Sequence, residues 1–445
     1  MEPGIIVGLV LFFVGIIIGL PICWVFLGST TVTLILLGEQ LKFMAGTAYY
    51  AIDSYILMAI SFFIFAGNLM AEAGISDHLI RLAYALVGRI KGGLVDVGVV
   101  TILFLSALTG SSVPTIAATI PLLVPQLEKF GYQRRYTTAI LCCSSYLGYL
   151  IPPSVPLLIY CLVAGQSVAA AFLSTVFPGL ILAAGNMLLN TFICHRYMQP
   201  ARDIPALPTT LTGTLKEIGA ATWVSLPALL VPLIVLVGIY GGIFTPNEAG
   251  AIAVIVTLYV GLFAYRGLKK KNFWSCTKST VTTMGMITLL LAFGTVFTRL
   301  LIREGVAQAM ANAMIGAFHS KYLILLMLNV LILILGMFID GIPILIIAVP
   351  LIMPLVKEIG VNLIQLGAII TVNVGIGVTT PPYAISIFVG SKMSGVPYER
   401  LVPPMMIFVL VVALPVLFLT TYIPALSCWL PTAIVGPKQV GPWSW

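Results

Sequence analysis

Two prolyl-prolyl pairs interrupt apolar stretches of this chain, Ile151-Pro152-Pro153-Ser154 and Thr379-Thr380-Pro381-Pro382. Proline removes a backbone donor and clashes with the preceding turn, so two in succession break a helix and free carbonyl oxygens. Each break follows another polar interruption, Thr109-Gly110-Ser111-Ser112-Val113-Pro114 in the first case and Asp340-Gly341 in the second. The first pair of interruptions offers Thr109, Ser111, Ser112 and Thr115 with Gly148, Ser154 and the nearby Ser144 and Ser145. The second offers Asp340 and Gly341 with Thr379, Thr380 and Asn373. Oxygen sets of this kind suit hard cations, freed carbonyls can coordinate sodium, and helix N-termini attract anions. Ser and Thr in apolar helices also bond their own backbone or fasten neighbouring helices, and for any one hydroxyl that alternative stays open. Clustering at both breaks favours a lined site. Asp340 is either a functional carboxylate at depth or a water-exposed cap on a turn.

The elements that carry these groups are read from composition. Of 445 residues, 60% are hydrophobic and 8% charged, where a soluble domain has about a quarter charged. Apolar stretches such as Ile5–Gly19, Leu57–Met70, Leu226–Tyr240 and Met405–Tyr422 recur throughout, and roughly 20 such residues cross a bilayer. The expectation is an all-α polytopic membrane protein. Gly4–Phe26 lacks a basic flank and a clear cleavage site, so it reads as the first transmembrane segment, followed by segments near 29–50 and 51–73. Gly74–Lys91 mixes charge with leucines and reads as an amphipathic interfacial helix. Gly92–Phe130, interrupted at Gly110, reads as a re-entrant hairpin, and Tyr136–Val163 as a discontinuous helix. After 168–194 comes a polar linker, His195–Lys216, then segments 217–243, 247–266 and 280–302, with the basic run Arg266–Lys271 as a topology anchor. In the loop before 247, Thr245 or Asn247 can cap the next helix, with Glu248 in its first turn. The pattern then restarts with an amphipathic 303–320, a second hairpin 321–358, a second broken helix 363–391 and a last segment 401–426.

The restart is an internal repeat. A shift of 229 residues superposes Pro114, Pro121, Pro125, Gly131, Gly148, Pro152 and Pro153 on Pro343, Pro350, Pro354, Gly360, Gly377, Pro381 and Pro382. Residues 114–153 and 343–382 align without a gap and share ten identities. Counting crossings with the basic loops inside places sixteen Lys/Arg in the cytoplasm and six outside. That assignment inverts one hairpin relative to the other and puts both chain ends outside. Inverted repeats with discontinuous helices are the architecture of secondary transporters, whose sites lie near the membrane midplane. The organisation expected is scaffold helices 1–73, an arm 74–91, a first transport repeat 92–165, scaffold and connecting helices 166–302, a second arm 303–320, a second transport repeat 321–395, and a C-terminal helix and tail 396–445.

Other chemistries are excluded on the residues. The net charge of +8 follows insertion topology and calls for no nucleic acid. Seven cysteines lack metal spacing, vicinal Cys142-Cys143 reads as packing, and His78, His195 and His319 are scattered. No paired carboxylates, HExxH, Ser/His constellation or phosphate-binding loop is found, so neither an enzyme nor an ATP-driven pump is expected. A channel would need a continuous polar path, which two opposed hairpins do not offer.

The loop GGIFTPNEA (241–249) closely resembles a signature of the large membrane subunit of TRAP (tripartite ATP-independent periplasmic) transporters, the DctM-like family. The resemblance spans essentially the whole chain, through AISFFIFAGNLM (59–70), the Gly-Ser-Ser tip before IPLLVP (120–125), GYLIPPSVPLLIY (148–160), GMFIDG (336–341) and TPPYAISIFV (380–389). It implies an elevator-type sodium symporter in the bacterial inner membrane. It also implies two partners, a small four-helix membrane subunit (DctQ-like) and a periplasmic solute-binding protein (DctP-like). An organic acid would be the cargo, with sodium as coupling ion and no other cofactor. Carried over, the sodium sites fall at Ser111, Ser112, Gly148 and Pro152 for one ion and at Asp340, Gly341, Thr379 and Pro382 for the other. Ser144, Ser145, Ser154, Asn373 and Thr380 are expected toward the substrate. The tip GSSVPT, with Pro114 near a usually small residue and no acidic position, departs from many relatives, as does Lys392. A stand-alone divalent-anion sodium symporter of a related family is the rival reading.

Overall fold

A computed structural model describes residues 2–89, 92–198, 211–318 and 320–443. Helices dominate, and among the described residues there is no strand beyond an isolated bridge and nine helical spans are long and apolar enough to cross a membrane. The protein is an all-α, multi-pass membrane protein.

The first half contains α1 (Pro3–Ile17), α2 (Ile22–Leu36), α3 (Lys42–Ile52), α4 (Tyr55–Glu72), α5 (Ile75–Val87), α6 (Gly93–Thr109), α7 (Ser112–Lys129), α8 (Arg134–Ser144), α9 (Leu147–Leu150), α10 (Val155–Ala164), α11 (Val168–Ser174) and α12 (Val176–Ile193). The second contains α13 (Leu211–Tyr240), α14 (Pro246–Tyr259), α15 (Lys270–Arg303), α16 (Val306–Ala317), α17 (Lys321–Phe338), α18 (Gly341–Glu358), α19 (Leu363–Gly377), α20 (Ile385–Ser394), α21 (Tyr398–Phe408), α22 (Leu414–Tyr422), α23 (Pro424–Val435) and α24 (Pro437–Val440).

The 229-residue shift organises nearly all of these. It lays α5 on α16, α6 on α17, α7 on α18, α8 and α9 on α19, α10 on α20, and α12 on α21–α22. The match of α7 and α18 is to the residue, and both hold two internal prolines in register. Such prolines are tolerated in membrane helices because neighbouring groups satisfy the freed carbonyls. Each half also opens with a packed helix pair, α1–α2 and α13–α14. The halves interlock, since α7 packs on α20 while α18 packs on α10, and α4 packs on α14 while α15 packs on α2. Tyr160 lies against Gly367 and Tyr146 against Gly375, so the two broken helices run antiparallel. The repeats are inverted in space.

Several expected boundaries change. Residues 4–26 do not form one crossing: Gly19 takes a left-handed φ of +83° and Pro21 starts a new helix, turning the chain back. The resulting α1 and α2 close on small residues, with no room for a side chain on Gly8 against Thr33 or on Gly15 against Val25. The expected 29–50 segment is accordingly divided between α2 and α3. The long α15 starts at Lys270, ten residues before the expected 280, because Lys270, Lys271 and Lys278 are good helix formers and no Gly or Pro follows them closely. Most of the expected linker, 199–210, lies outside the described residues, as does His319; Lys216 already belongs to α13. The tail is not featureless, since α23 packs on α11 and α19. Between the two candidate caps of α14, the structure selects Thr245, in a reciprocal capping box with Glu248. The vicinal Cys142 and Cys143 form no disulfide and are buried.

Candidate functional site

The first hairpin turns at Gly110, whose φ is +59° and whose missing Cβ would sit 2.3 Å from the Pro153 carbonyl oxygen. Only glycine permits both conditions. Ser111 is extended and starts α7. The turn is fastened internally: Thr109 and Thr115 hydroxyls lie 2.8 Å apart, and Thr115 donates to the Ser111 carbonyl at 2.8 Å. The same tip seats on its own break. A Cβ on Gly148 would meet the Ser111 carbonyl carbon and oxygen at 2.6 Å, and Val155 N–H donates to the Gly110 carbonyl at 3.2 Å. Ser154 caps α10, and its hydroxyl donates to the Tyr149 carbonyl at 2.5 Å. Ser111, Ser112, Gly148 and Pro152 therefore belong to one tip-and-break unit.

The second unit repeats the plan with other groups. Asp340 N-caps α18, its Oδ1 accepting from Gly341 N–H at 2.8 Å, and it is half-buried. Just before the tip, α17 meets the end of α19 where Gly336 and Gly377 touch, a Cβ on Gly377 falling 2.7 Å from the Gly336 Cα. Tyr383 N–H donates to the Met337 carbonyl at 3.1 Å. Thr379 and Thr380 both donate to the Ile376 carbonyl, at 2.8 and 2.7 Å, leaving their lone pairs open. Ala384 holds φ at +40°, and both Pro-Pro bonds are cis.

Two residues that the sequence did not single out join the units. Tyr149, beside the first break, donates its hydroxyl to Asp340 Oδ1 of the second tip at 3.4 Å. Ser386, just after the second break, lies 3.3 Å from the Ser112 hydroxyl and accepts from Ser145 at 3.2 Å. Neither had a local signal: one reads as an aromatic on an apolar helix, the other as a helix-start serine. Of the remaining expected residues, Ser144 accepts from Asn186 at 3.0 Å, and Asn373 donates to the Asn329 carbonyl and side chain at 2.9 and 3.0 Å. These two fasten neighbouring helices.

A cavity of about 260 Å³ lies between the first tip and the long helices. Its polar lining is Asn68 of α4, Thr109 and Ser111 of the tip, and Ser279 and Thr283 of α15, with Ile342 of the second tip closing one side. On the same faces of α4 and α15 a wider cleft of about 870 Å³ is lined by Asp53, Ser54, Ser61, Thr280 and Thr288. Asn68 Nδ2 donates to Thr280 Oγ1 at 2.9 Å, bracing the two helices between these spaces. None of Ser144, Ser145, Ser154, Asn373 and Thr380 lines either space. No group of three His, Cys, Asp or Glu able to hold a metal occurs among the described residues.

The fold is shared with two solved transporters. That of the YdaH transporter from Alcanivorax borkumensis has a TM-score of 0.59 at 16% identity, over 90% of this chain and 89% of the other. The MtrF structure from Neisseria gonorrhoeae gives 0.57 at 14%, over 87% and 84%. Sequence relatives are nearer. The chain is 34% identical to the isethionate TRAP transporter permease protein DctMQ of Oleidesulfovibrio alaskensis, over 92% of this chain and 64% of that protein. It is 32% identical to the C4-dicarboxylate TRAP transporter large permease protein DctM of Vibrio cholerae, over 95% and 96%. With the sialic acid TRAP transporter large permease protein SiaM of the same organism it shares 29%, over 96% and 98%. These relatives are named as transporter subunits, not enzymes. The family model for the tripartite ATP-independent periplasmic transporter, DctM component, matches residues 9–426, and with the tips and breaks described above it makes this chain a member of the DctM family of TRAP large permease subunits.

Proposed function

We propose that the chain carries an organic acid across the bacterial inner membrane by sodium symport, receiving it from a periplasmic solute-binding protein and working beside a small membrane subunit. The observation that carries this reading is the pair of tip-and-break units joined through Tyr149 and Ser386. Each unit gathers carbonyl and side-chain oxygens where helices end, which is where a small hard cation is held in secondary transporters. One sodium ion would lie among Ser111, Ser112, Gly148 and Pro152, and the other among Asp340, Gly341, Thr379 and Pro382. Relatives named for isethionate, C4-dicarboxylates and sialic acid support an acidic cargo. The cavity at Asn68, Thr109, Ser111, Ser279 and Thr283 would hold it with neutral donors between the first tip and the scaffold. Elevator movement would carry the two hairpins and broken helices together past α4 and α15, with both termini on the periplasmic side.

The test is uptake into proteoliposomes holding this chain, the small subunit and the binding protein, with the acid that the binding protein retains in a ligand screen. Uptake should require an inward sodium gradient and the binding protein. Equal uptake with potassium replacing sodium sinks the coupling, and equal uptake without the binding protein sinks the tripartite reading in favour of a stand-alone symporter.

A further inference from the structure

At one end of the molecule, the α7–α8 turn meets the α20–α21 turn around an open pocket of about 390 Å³. Arg134, Arg135 and Arg400 line it with Glu128 and Gln133, three arginines to one acidic residue. Arg134 is committed to the framework, its Nε donating to the Ser394 carbonyl at 2.7 Å and Nη1 to Glu128 at 3.0 Å. Arg135 lies over the Tyr197 ring at 5.8 Å, and its Nε donates to Gln133 at 2.9 Å. Arg400 is exposed and makes no ion pair among the described residues.

The inverted repeat supplies an independent comparison. The 229-residue shift carries Gln133 to Asn362, and Val396 back to Ser167. At that equivalent position the chain's own tail fills the space. Asn362 Nδ2 donates to the Val440 and Pro442 carbonyls at 2.7 and 3.1 Å, and Ser167 donates to Gln439 Oε1 at 2.8 Å. The tail offers acceptor oxygens to Asn362 Nδ2 and Ser167, while Cys428 Sγ of α23 donates to Asn362 Oδ1 at 3.7 Å. On the arginine side residues 194–198 approach the turn, Gln133 N–H donating to the Tyr197 carbonyl at 2.9 Å, but no described segment bonds Gln133 and Val396 side by side as the tail bonds Asn362 and Ser167, and the side-chain donors are guanidinium forks suited to planar or tetrahedral oxyanions.

We propose that this pocket binds a phosphate-bearing anion, either the headgroup of an anionic phospholipid or a free phosphate, held by Arg135 and Arg400 with Arg134 behind them. The two sources share the same contacts. The test uses the full chain in neutral detergent, with native mass spectrometry of retained phosphatidylglycerol against phosphatidylcholine and thermal shift with inorganic phosphate. The variants are Arg400→Ala and Arg135→Gln, which leave the Arg134 framework bonds intact. Phosphatidylglycerol should be retained in preference to phosphatidylcholine, with retention falling about fivefold to tenfold in either variant. Phosphate that stabilises the wild type but not the variants assigns the site to the free ion as well; lipid retention without that shift assigns it to the headgroup. Equal retention of both lipids with no phosphate shift, or lipid and phosphate responses unchanged in both variants, overturns the proposal.

Discussion

The two tip-and-break units share a backbone plan but not a chemistry. Ser111 and Asp340 are equivalent under the repeat, and so are Ser112 and Gly341, so one tip presents hydroxyls where the other presents a carboxylate. The breaks differ in the opposite sense: Ser154 caps the helix after the first, while Ala384 begins the second with a strained φ of +40° and no side-chain cap. The lesson is that the repeat preserves what the main chain must do and releases what the side chains do. Glycines and prolines hold register because they define the turn and the close approach. The oxygen donors beside them are free to diverge, giving one neutral and one charged candidate site. A formal charge makes the second unit the one expected to hold a cation more tightly.

Breaking the shared part should have the largest effect. Gly148→Ala and Gly377→Ala each drive a methyl into main-chain atoms and should cost about 1–3 kcal/mol, read as a lowered melting temperature together with lost uptake. If only one of them is harmful, the units are not mechanically equivalent. Next comes the divergent part. Asp340→Asn should weaken sodium-dependent stabilisation about tenfold or more, and Ser111→Ala less, because hydrogen bonds and contacts to charged groups are worth more than neutral ones. Equal losses would erase the distinction between a charged and a neutral site.

Tyr149→Phe removes the hydroxyl that reaches from the first break to Asp340, and about 1 kcal/mol of interaction corresponds to a roughly fivefold rise in the sodium concentration for half-maximal uptake. A sodium dependence unchanged in both midpoint and steepness would show that the two units act separately. Ser154→Ala should cost about 1 kcal/mol of stability through the lost cap, whereas Tyr383→Ala, at the equivalent position, removes none.

The smallest expected difference is between the arms. His78 of α5 stacks on Tyr265 at 4.1 Å, and burial holds its pKa below the ordinary histidine value, outweighing Asp77, with Arg81 adding to the lowering. The folded chain then binds fewer protons than the unfolded chain as pH falls through the unfolded value near 6.5. Stability is unaffected above that range and declines below it. The equivalent residue in α16 is Ala307, so His78→Gln should flatten the pH 5–7 melting profile while changes in α16 do not.

What was legible in the sequence follows the same division. The hairpins, the breaks and the 229-residue shift were readable because Pro and Gly at those positions report backbone geometry directly. Asp340 was readable as a carboxylate in an apolar chain. Tyr149, Ser386, Asn68, Ser279 and Thr283 were not, because their meaning comes from contacts between halves distant in sequence. The same limit explains the first segment. Gly4–Phe26 reads as one transmembrane segment, and the reversal at Gly19-Leu20-Pro21 emerges only when Gly8 and Gly15 are seen closing on Thr33 and Val25. The start of α15 was obscured for a different reason, since lysines that mark a membrane boundary are also good helix formers.

At Gly148 the first tip rests on its break with main chain against main chain, and at Gly377 the end of α17 just before the second tip rests on the second broken helix in the same way. A seam of that kind has no pliable side chain to compress or stretch, and close-packed interfaces shift between discrete arrangements instead of deforming smoothly. On the proposed function each tip would then be a latch and not a spring: an ion held beneath it would be shut in or released in one step, and partial opening is the state the packing disfavours.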